Sequence, residues 1–339
     1  MEHKAPDFII GGLGGSGTRL IAEVVQSFGN NIGSDLNGPS DNLLFTLLYK
    51  RLEILDTTKD EFVKITRIML KGLNRPLHDN RLSADEISLC HQLASQDRPG
   101  HDAFWLKERV DNLLETTGSQ PSAHFKKRKH DTTTSQLDLG LETKGLYGWK
   151  EPNSHVLLDR FLELFPNIKY IHVIRNGFDM VKSNNQNQLS LWGETFLGQI
   201  PHSSNTPSPC PLGYEKGNLS PKYALKYWCS IHRRVLKLGS QMKQSQFLCL
   251  NYDDFCSNPD QGLEILCNFL DLPRTESNLT KARSFIRPRP TSTSSTSITT
   301  SSSLSASSKV QSSASSNFRH DMSVFDSDDV AYVHSLGFS

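Results

Sequence analysis

The stretch Asp7 to Phe28, DFIIGGLGGSGTRLIAEVVQSF, decides how this chain is read. Phe8-Ile9-Ile10 is a short apolar run, and five glycines follow within seven residues: Gly11, Gly12, Gly14, Gly15 and Gly17. Leu20, Ile21, Val24, Val25 and Phe28 then recur at helical spacing. A strand, a glycine-rich turn and a helix in that order can wrap a phosphate. Glycines allow positive φ and close backbone approach, and the free N–H groups at the helix start point inward.

Working outward, apolar spacing predicts helices over 41–56 and 59–73, and Ser83 with Glu86 forms a capping box that starts another. Residues 103–115 make a further amphipathic helix. Residues 145–150 read as a strand ending in polar groups, 154–165 as a helix, and Ile168 to Ile174 as the best buried strand, with Arg175 at its end. A helix is expected over 177–185, a long one over 223–242, a strand over 247–250 and a helix over 259–270. Apolar strands alternating with helices argue for α/β architecture: a doubly wound parallel sheet with a helical block inserted after the first βα unit.

The expected domain organisation is one α/β domain over residues 1–290. It contains a polar insert at 117–140, whose basic cluster Lys126 to Lys129 reads as a solvated loop, and a Pro/Gly/Ser-rich loop at 198–221, a candidate substrate lid. Residues 291–316 are nearly pure Ser/Thr and cannot bury enough surface to offset their ordering entropy, so disorder is expected there. Residues 317–339 form a C-terminal segment that returns toward the nucleotide site, with helical character at its end.

The bulk numbers exclude several classes. A net charge of +1 over 339 residues gives no argument for nucleic acid or a membrane surface. No apolar run is long enough to span a bilayer, and MEHKAPD has no signal-like apolar core. Six cysteines without a CxxC motif read as reduced thiols. A cytoplasmic location is expected, with no metal, since no His/Cys cluster is apparent.

The glycine turn fits more than one phosphate compound. Gly12 and Gly17 match the spacing of a nucleotide-triphosphate P-loop, but Thr18 and Arg19 stand where that loop has its Lys and Ser/Thr. Gly12, Gly14 and Gly17 match a dinucleotide pattern, yet no acidic residue ends a clear second strand to hold the ribose. Three further stretches bear on the choice. Arg175, at a strand end, and Ser183, eight residues on, can converge on one anion through a charged fork and a hydroxyl. Lys150-Glu151-Pro152 lies at another strand end, facing the same crevice if the sheet is parallel. The third stretch is Phe247 to Leu272.

Together these segments resemble the sulfotransferase superfamily, whose members use 3′-phosphoadenosine-5′-phosphosulfate (PAPS). The resemblance covers residues 5–30 and 144–290, with Lys150-Glu151-Pro152 similar to the Lys-x-Pro element of bacterial-type and carbohydrate-type members and Tyr252 to Phe255 similar to their Tyr-Glu-Asp-Leu segment. It implies that the P-loop-like turn, Gly14, Gly15, Ser16, Gly17, Thr18 and Arg19, holds the 5′-phosphosulfate, and that Arg175 and Ser183 hold the 3′-phosphate. Many members place a basic residue where Gly15 stands here. Charge stabilisation is then expected from Lys150, Arg19 and the backbone of the turn. Members also close over the nucleotide with a Gly-Arg-aromatic loop, for which Ser316 to Arg319 is the candidate, making Arg319 a 3′-phosphate ligand.

Sulfuryl transfer needs a general base for the acceptor proton. Glu151 is the first candidate and His155 the second, with a capping role for Glu151 as its structural alternative. The implied function is transfer from PAPS to a hydroxyl or amine of a small-molecule acceptor. The rival readings are a non-catalytic nucleotide-binding relative and a P-loop NTP-dependent kinase.

Overall fold

The computed structural model describes residues 5–73, 80–96, 98, 100–119, 145–183, 185–198, 221–287 and 324–338. Strand β1 (Phe8–Gly12) leads through the glycine turn into α1 (Thr18–Ser27). The helical block follows: α2 (Leu43–Tyr49), a 3-10 turn at Leu52–Leu55, α3 (Lys59–Gly72), α4 (Ala84–Ala94) and α5 (Ala103–Thr116). The chain then forms β2 (Gly148–Lys150), a 3-10 helix at Pro152–Leu157, α6 (Leu158–Leu164), β3 (Lys169–Ile174), α7 (Gly177–Met180), α8 (Asn187–Leu197) and α9 (Pro221–Gly239). After β4 (Phe247–Asn251) come α10 (Tyr252–Ser257), α11 (Pro259–Leu270), α12 (Glu276–Arg283) and finally α13 (Ser327–Ser335).

The four strands form one all-parallel sheet in the order β2-β1-β3-β4. Strand period sends alternate side chains to opposite faces. Ile9 and Tyr170 join the larger core with α2, α3 and α9, whereas Phe8, Ile10, Ile171 and Val173 join the second core with α1 and α11. Both faces are covered, as a parallel sheet requires. Phe8, Ile9 and Ile10 are completely buried. Each such side chain contributes about 1.5–3 kcal/mol, so the N-terminal strand anchors the centre of the fold.

The order of strands fixes where a ligand can sit. From β1 the chain crosses to β2 on one side, and β3 then lies on the other. The crevice at the carboxyl ends of β1 and β3 is therefore a topological switch point. The turn after β1 and Arg175 after β3 meet there.

Several element boundaries differ from the sequence expectation. The helix expected over 41–56 stops at Tyr49, because Lys50 leaves helical geometry (ψ 67°) and Arg51 is extended. The helix over 154–165 begins as a 3-10 helix with Pro152 at its start and Glu151 as its cap. The helix expected over 177–185 ends at Met180, so Ser183 lies beyond it, and α8 forms where the sequence reading has no helix. Helix α9 opens at Pro221, within the expected loop. Most of the insert, the rest of that loop, the Ser/Thr tract and Arg319 lie outside the described residues. Among the described residues no helix is long and apolar enough to cross a membrane, and Cys90, Cys229, Cys249 and Cys267 are free thiols.

Candidate active site

The glycine turn is held by its own backbone and by the residues around it. The Ser16 N–H donates to the Leu13 carbonyl at 3.0 Å, and Gly17, at φ 97°, opens α1 without a side-chain cap. The first N–H groups of an uncapped helix are left for an anion. A Cβ on Gly17 would lie 2.0 Å from the Tyr252 ring, so glycine is required there by packing as well as by φ. Ser16 and Thr18 are buried, and the Ser16 hydroxyl has no hydrogen-bond partner.

Arg175 and Ser183 both reach this turn. Arg175 Nη1 donates to the Gly15 carbonyl at 3.1 Å, and its guanidinium lies 5.5 Å from the centre of the Tyr252 ring. Its Nε is buried without a partner, and Nη2 is 4.0 Å from Asp179. The Ser183 hydroxyl accepts from the Asn185 N–H at 3.1 Å and lies 3.8 Å from where a Cβ on Gly15 would stand. The structure thus brings Gly14 to Thr18, Arg175 and Ser183 into one crevice. Arg19 does not join them. Its side chain is 61% exposed and faces Glu23 on the next turn of α1, 3.9 Å away.

The carboxyl end of β2 carries the second group of residues. The Glu151 N–H donates to the Ile10 carbonyl at 3.1 Å, which fixes this strand end beside β1. Lys150 is nearly fully buried, and its ammonium pairs with the Asp41 carboxylate and donates to the Pro39 carbonyl at 3.0 Å. The Glu151 carboxylate is also buried. It accepts from the Asn153 backbone N–H and from Asn153 Nδ2 at 2.8 Å, so it caps the 3-10 helix. Burial pushes its pKa up to about 7; the Lys50 ammonium opposes the rise and Asp41 adds to it.

Lys50 is the site-adjacent residue that sequence reading missed. Among charged groups it acts on Glu151 more strongly than Lys150 does, yet it makes no hydrogen bond or ion pair with the described residues. No motif marks it: it lies at the end of α2, about a hundred residues from its partner in space. Gln188 on α8 is a second such residue. It donates to the Gly12 carbonyl at 3.4 Å and approaches His155 Nε2 at 3.5 Å.

His155 is fully buried, and its Nδ1 has no partner. Burial, helped by His172 and Arg234, holds its pKa well below the ordinary histidine range. His172 Nε2 and His232 Nδ1 share a 2.8 Å hydrogen bond, and burial lowers His172 to about 3. Among the described residues no group of three or more His, Cys, Asp or Glu side chains is arranged to hold a metal ion. Trp149 and Trp192 are core residues whose indole N–H groups donate to Ser154 and Asn153.

A parallel α/β sheet with a glycine turn and an arginine meeting at its switch point defines a class of proteins that grip phosphorylated ligands at strand ends. The sequence matches the sulfotransferase family over residues 6–276, and the chain belongs to that family. No curated relative matches it. Solved structures similar to it include a sulfotransferase domain from the curacin biosynthetic pathway (17% identical, TM-score 0.39), with 82% of this chain and 78% of that one covered. Another is the sulfotransferase domain of the Synechococcus PCC 7002 olefin synthase (14%, TM-score 0.38, 83% and 79% covered). A sulfotransferase from Mycobacterium avium is similar at 14% identity and TM-score 0.38, with 83% and 67% covered.

Proposed function

We propose that this chain is a cytoplasmic enzyme that takes a sulfuryl group from PAPS and passes it to a hydroxyl or amine of a small-molecule acceptor. One observation carries the choice of donor: Arg175 and Ser183 approach the glycine turn at the same residue, Gly15. A nucleotide with phosphate groups at both its 5′ and 3′ positions needs two anion sites a few ångströms apart. The unused donors fit such a ligand, since Arg175 Nε and the Ser16 hydroxyl are buried without partners.

The donor supplies an activated S–O bond to its 5′-phosphate; the acceptor atom bonds to sulfur as that bond breaks. The rest falls to side chains and backbone of this chain. The turn and the α1 N-terminus supply N–H dipoles toward the charge that develops on the leaving phosphate. Glu151 receives the acceptor proton: each of its oxygens keeps a lone pair beyond its bond to Asn153, and a pKa near 7 suits a base working at neutral pH. With a glycine at position 15 and Arg19 turned outward, Lys50 supplies the positive charge beside Glu151, and Lys150 shapes the strand end through Asp41.

The test is thermal stability with adenosine 3′,5′-bisphosphate. This ligand is expected to raise Tm, and Arg175→Ala to shrink the rise at a fixed ligand concentration. Stabilisation by ATP with magnesium but not by the bisphosphate would overturn the proposal in favour of the kinase reading. The pairing of Lys150 with Asp41 favours a non-catalytic relative as the second reading. Sulfuryl transfer to any acceptor that is lost in Lys50→Ala excludes it.

A further inference from the structure

Beyond the end of the family match at residue 276, the chain returns as α13 and packs against α9. Its seat is specific. Val333 is fully buried and Phe338 nearly so. The Phe338 ring meets Trp228 of α9 edge-on at 6.1 Å. Ionic contacts surround this apolar centre: Asp329 pairs with Arg233 at 3.1 Å, and Asp326 with Lys222 at 2.7 Å.

The residues that α13 covers are those that hold the backbone around Arg175. Trp228 donates its indole N–H to the Arg175 carbonyl at 3.2 Å and packs on Gly177, where a Cβ would be 3.0 Å away. Phe178, one residue further, lies between Phe325 and His334 of the C-terminal segment, at 6.0 and 5.6 Å. A side chain reaching 3.1 Å to Gly15 from an exposed strand end needs a fixed backbone beneath it, since small displacements cost much of a charge-assisted bond.

We propose that the C-terminal segment 324–338 is a positioning latch that, through Trp228 and Phe178, sets Arg175 for the 3′-phosphate of the nucleotide. The role of Arg175 rests on the PAPS reading given above; the mechanical coupling from α13 to the 175–183 backbone does not.

Two measurements on the full chain separate these parts. The first is hydrogen exchange without ligand at the amides of Phe178, Met180, Val181 and Ser183, all bonded within this segment. The second is the ratio of affinities for adenosine 3′,5′-bisphosphate and adenosine 5′-monophosphate. Val333→Asp places a charge in the latch seat; it is expected to speed exchange at those four amides ~10-fold or more and to cut the affinity ratio ~10-fold, with monophosphate binding unchanged. Asp329→Asn keeps the packing and is expected to shift both readouts in the same direction by ~2-fold to 3-fold, which covers the case in which Val333→Asp does not fold.

Fast exchange across 327–335 with no change at 178–183 would overturn the latch. So would an equal loss of both nucleotides, or protection retained across 327–335 in Val333→Asp, since Val333 is the centre of the seat. If the unmodified protein binds neither nucleotide, the PAPS reading fails and the exchange result alone decides the latch.

Discussion

The two sides of β1 are built differently. On the β3 side, the turn, Arg175 and Ser183 keep donor capacity in reserve: a buried Nε and a buried hydroxyl without partners, and a helix N-terminus without a cap. On the β2 side the polar groups already have partners: Lys150 pairs with Asp41, and the buried Glu151 carboxylate accepts hydrogen bonds from Asn153. Unmet donors in a crevice describe a place prepared for an anion. Buried groups with fixed hydrogen-bond partners are held in position, and burial brings the Glu151 pKa to about 7. On the proposed reading, recognition falls to one side and proton transfer to the other.

The largest expected effect belongs to the β2 side. Glu151→Gln keeps the shape and removes the base, and kcat is expected to fall by about 10²–10⁴. Bisphosphate affinity stays within two-fold. In the unmodified enzyme kcat is expected to rise through pH ~7 as Glu151 loses its proton; a flat pH–rate profile, read under saturating donor and acceptor, removes Glu151 as the base.

Next comes the β3 side. Arg175→Ala removes a guanidinium whose charge-assisted bonds are worth about 1.5–3 kcal/mol each. Bisphosphate affinity by calorimetry is expected to drop ~10-fold to 100-fold, and 5′-monophosphate affinity by far less. Equal losses for both ligands would place Arg175 on the 5′ side instead.

A smaller effect tests the pairing on the β2 side. Asp41→Asn leaves Lys150 buried without its counter-charge, and stability is expected to fall by about 1–3 kcal/mol. Bisphosphate affinity should not follow, because the pair lies on the other side of β1. Coupled losses in denaturation and calorimetry would mean that the two sides are one unit.

The smallest effect is the pH dependence of stability, where opposite signs compete. His155, His172 and His232 have lowered folded pKa values, so the unfolded chain binds their protons first and stability falls as pH drops below about 6.5. Glu151 has a raised folded pKa of about 7, so its contribution is present below about pH 4.3 and is lost as pH rises through 7. Three groups outweigh one. The urea midpoint is expected to rise between pH 4.5 and 6.5, and to rise more steeply in Glu151→Gln. A shallower rise in that variant contradicts the assignment of its pKa.

Much of the fold could be read from residues 7–28 and 168–174, because apolar runs with period 2 and helices with period 3.6 are local signals. The convergence of Arg175 with the turn was legible as a motif, while its cause, the placement of β3 directly beside β1, is a matter of strand order and is not written in local spacing. The glycine count misled in part. Gly11 makes room for the Tyr170 hydroxyl, which a Cβ would approach to 2.3 Å, so that glycine is a packing residue of the strand. Arg19 carried the right charge at the right spacing, but as the second residue of α1 it points along the helix surface to Glu23. Lys50 was invisible for the opposite reason, having position without a motif. Lys150 and Glu151 are legible as a pair, but the burial of Lys150 rests on Asp41, which no local spacing connects to it.

The central place of β1 also has a consequence for synthesis. Phe8 is made 140 residues before Gly148 and 161 residues before Lys169, the two residues it pairs with. At about 5–20 residues per second, roughly 7–28 s separate the synthesis of Phe8 from that of its nearer partner, Gly148. The helices of 43–116 depend on nearer contacts and can gather in that interval. Nascent chains stalled near residue 120 are expected to show helix without protection at Ile9 and Ile10, and chains stalled well past β3 to show both. The glycine turn, made well before β3, then takes shape only after β3 has been made.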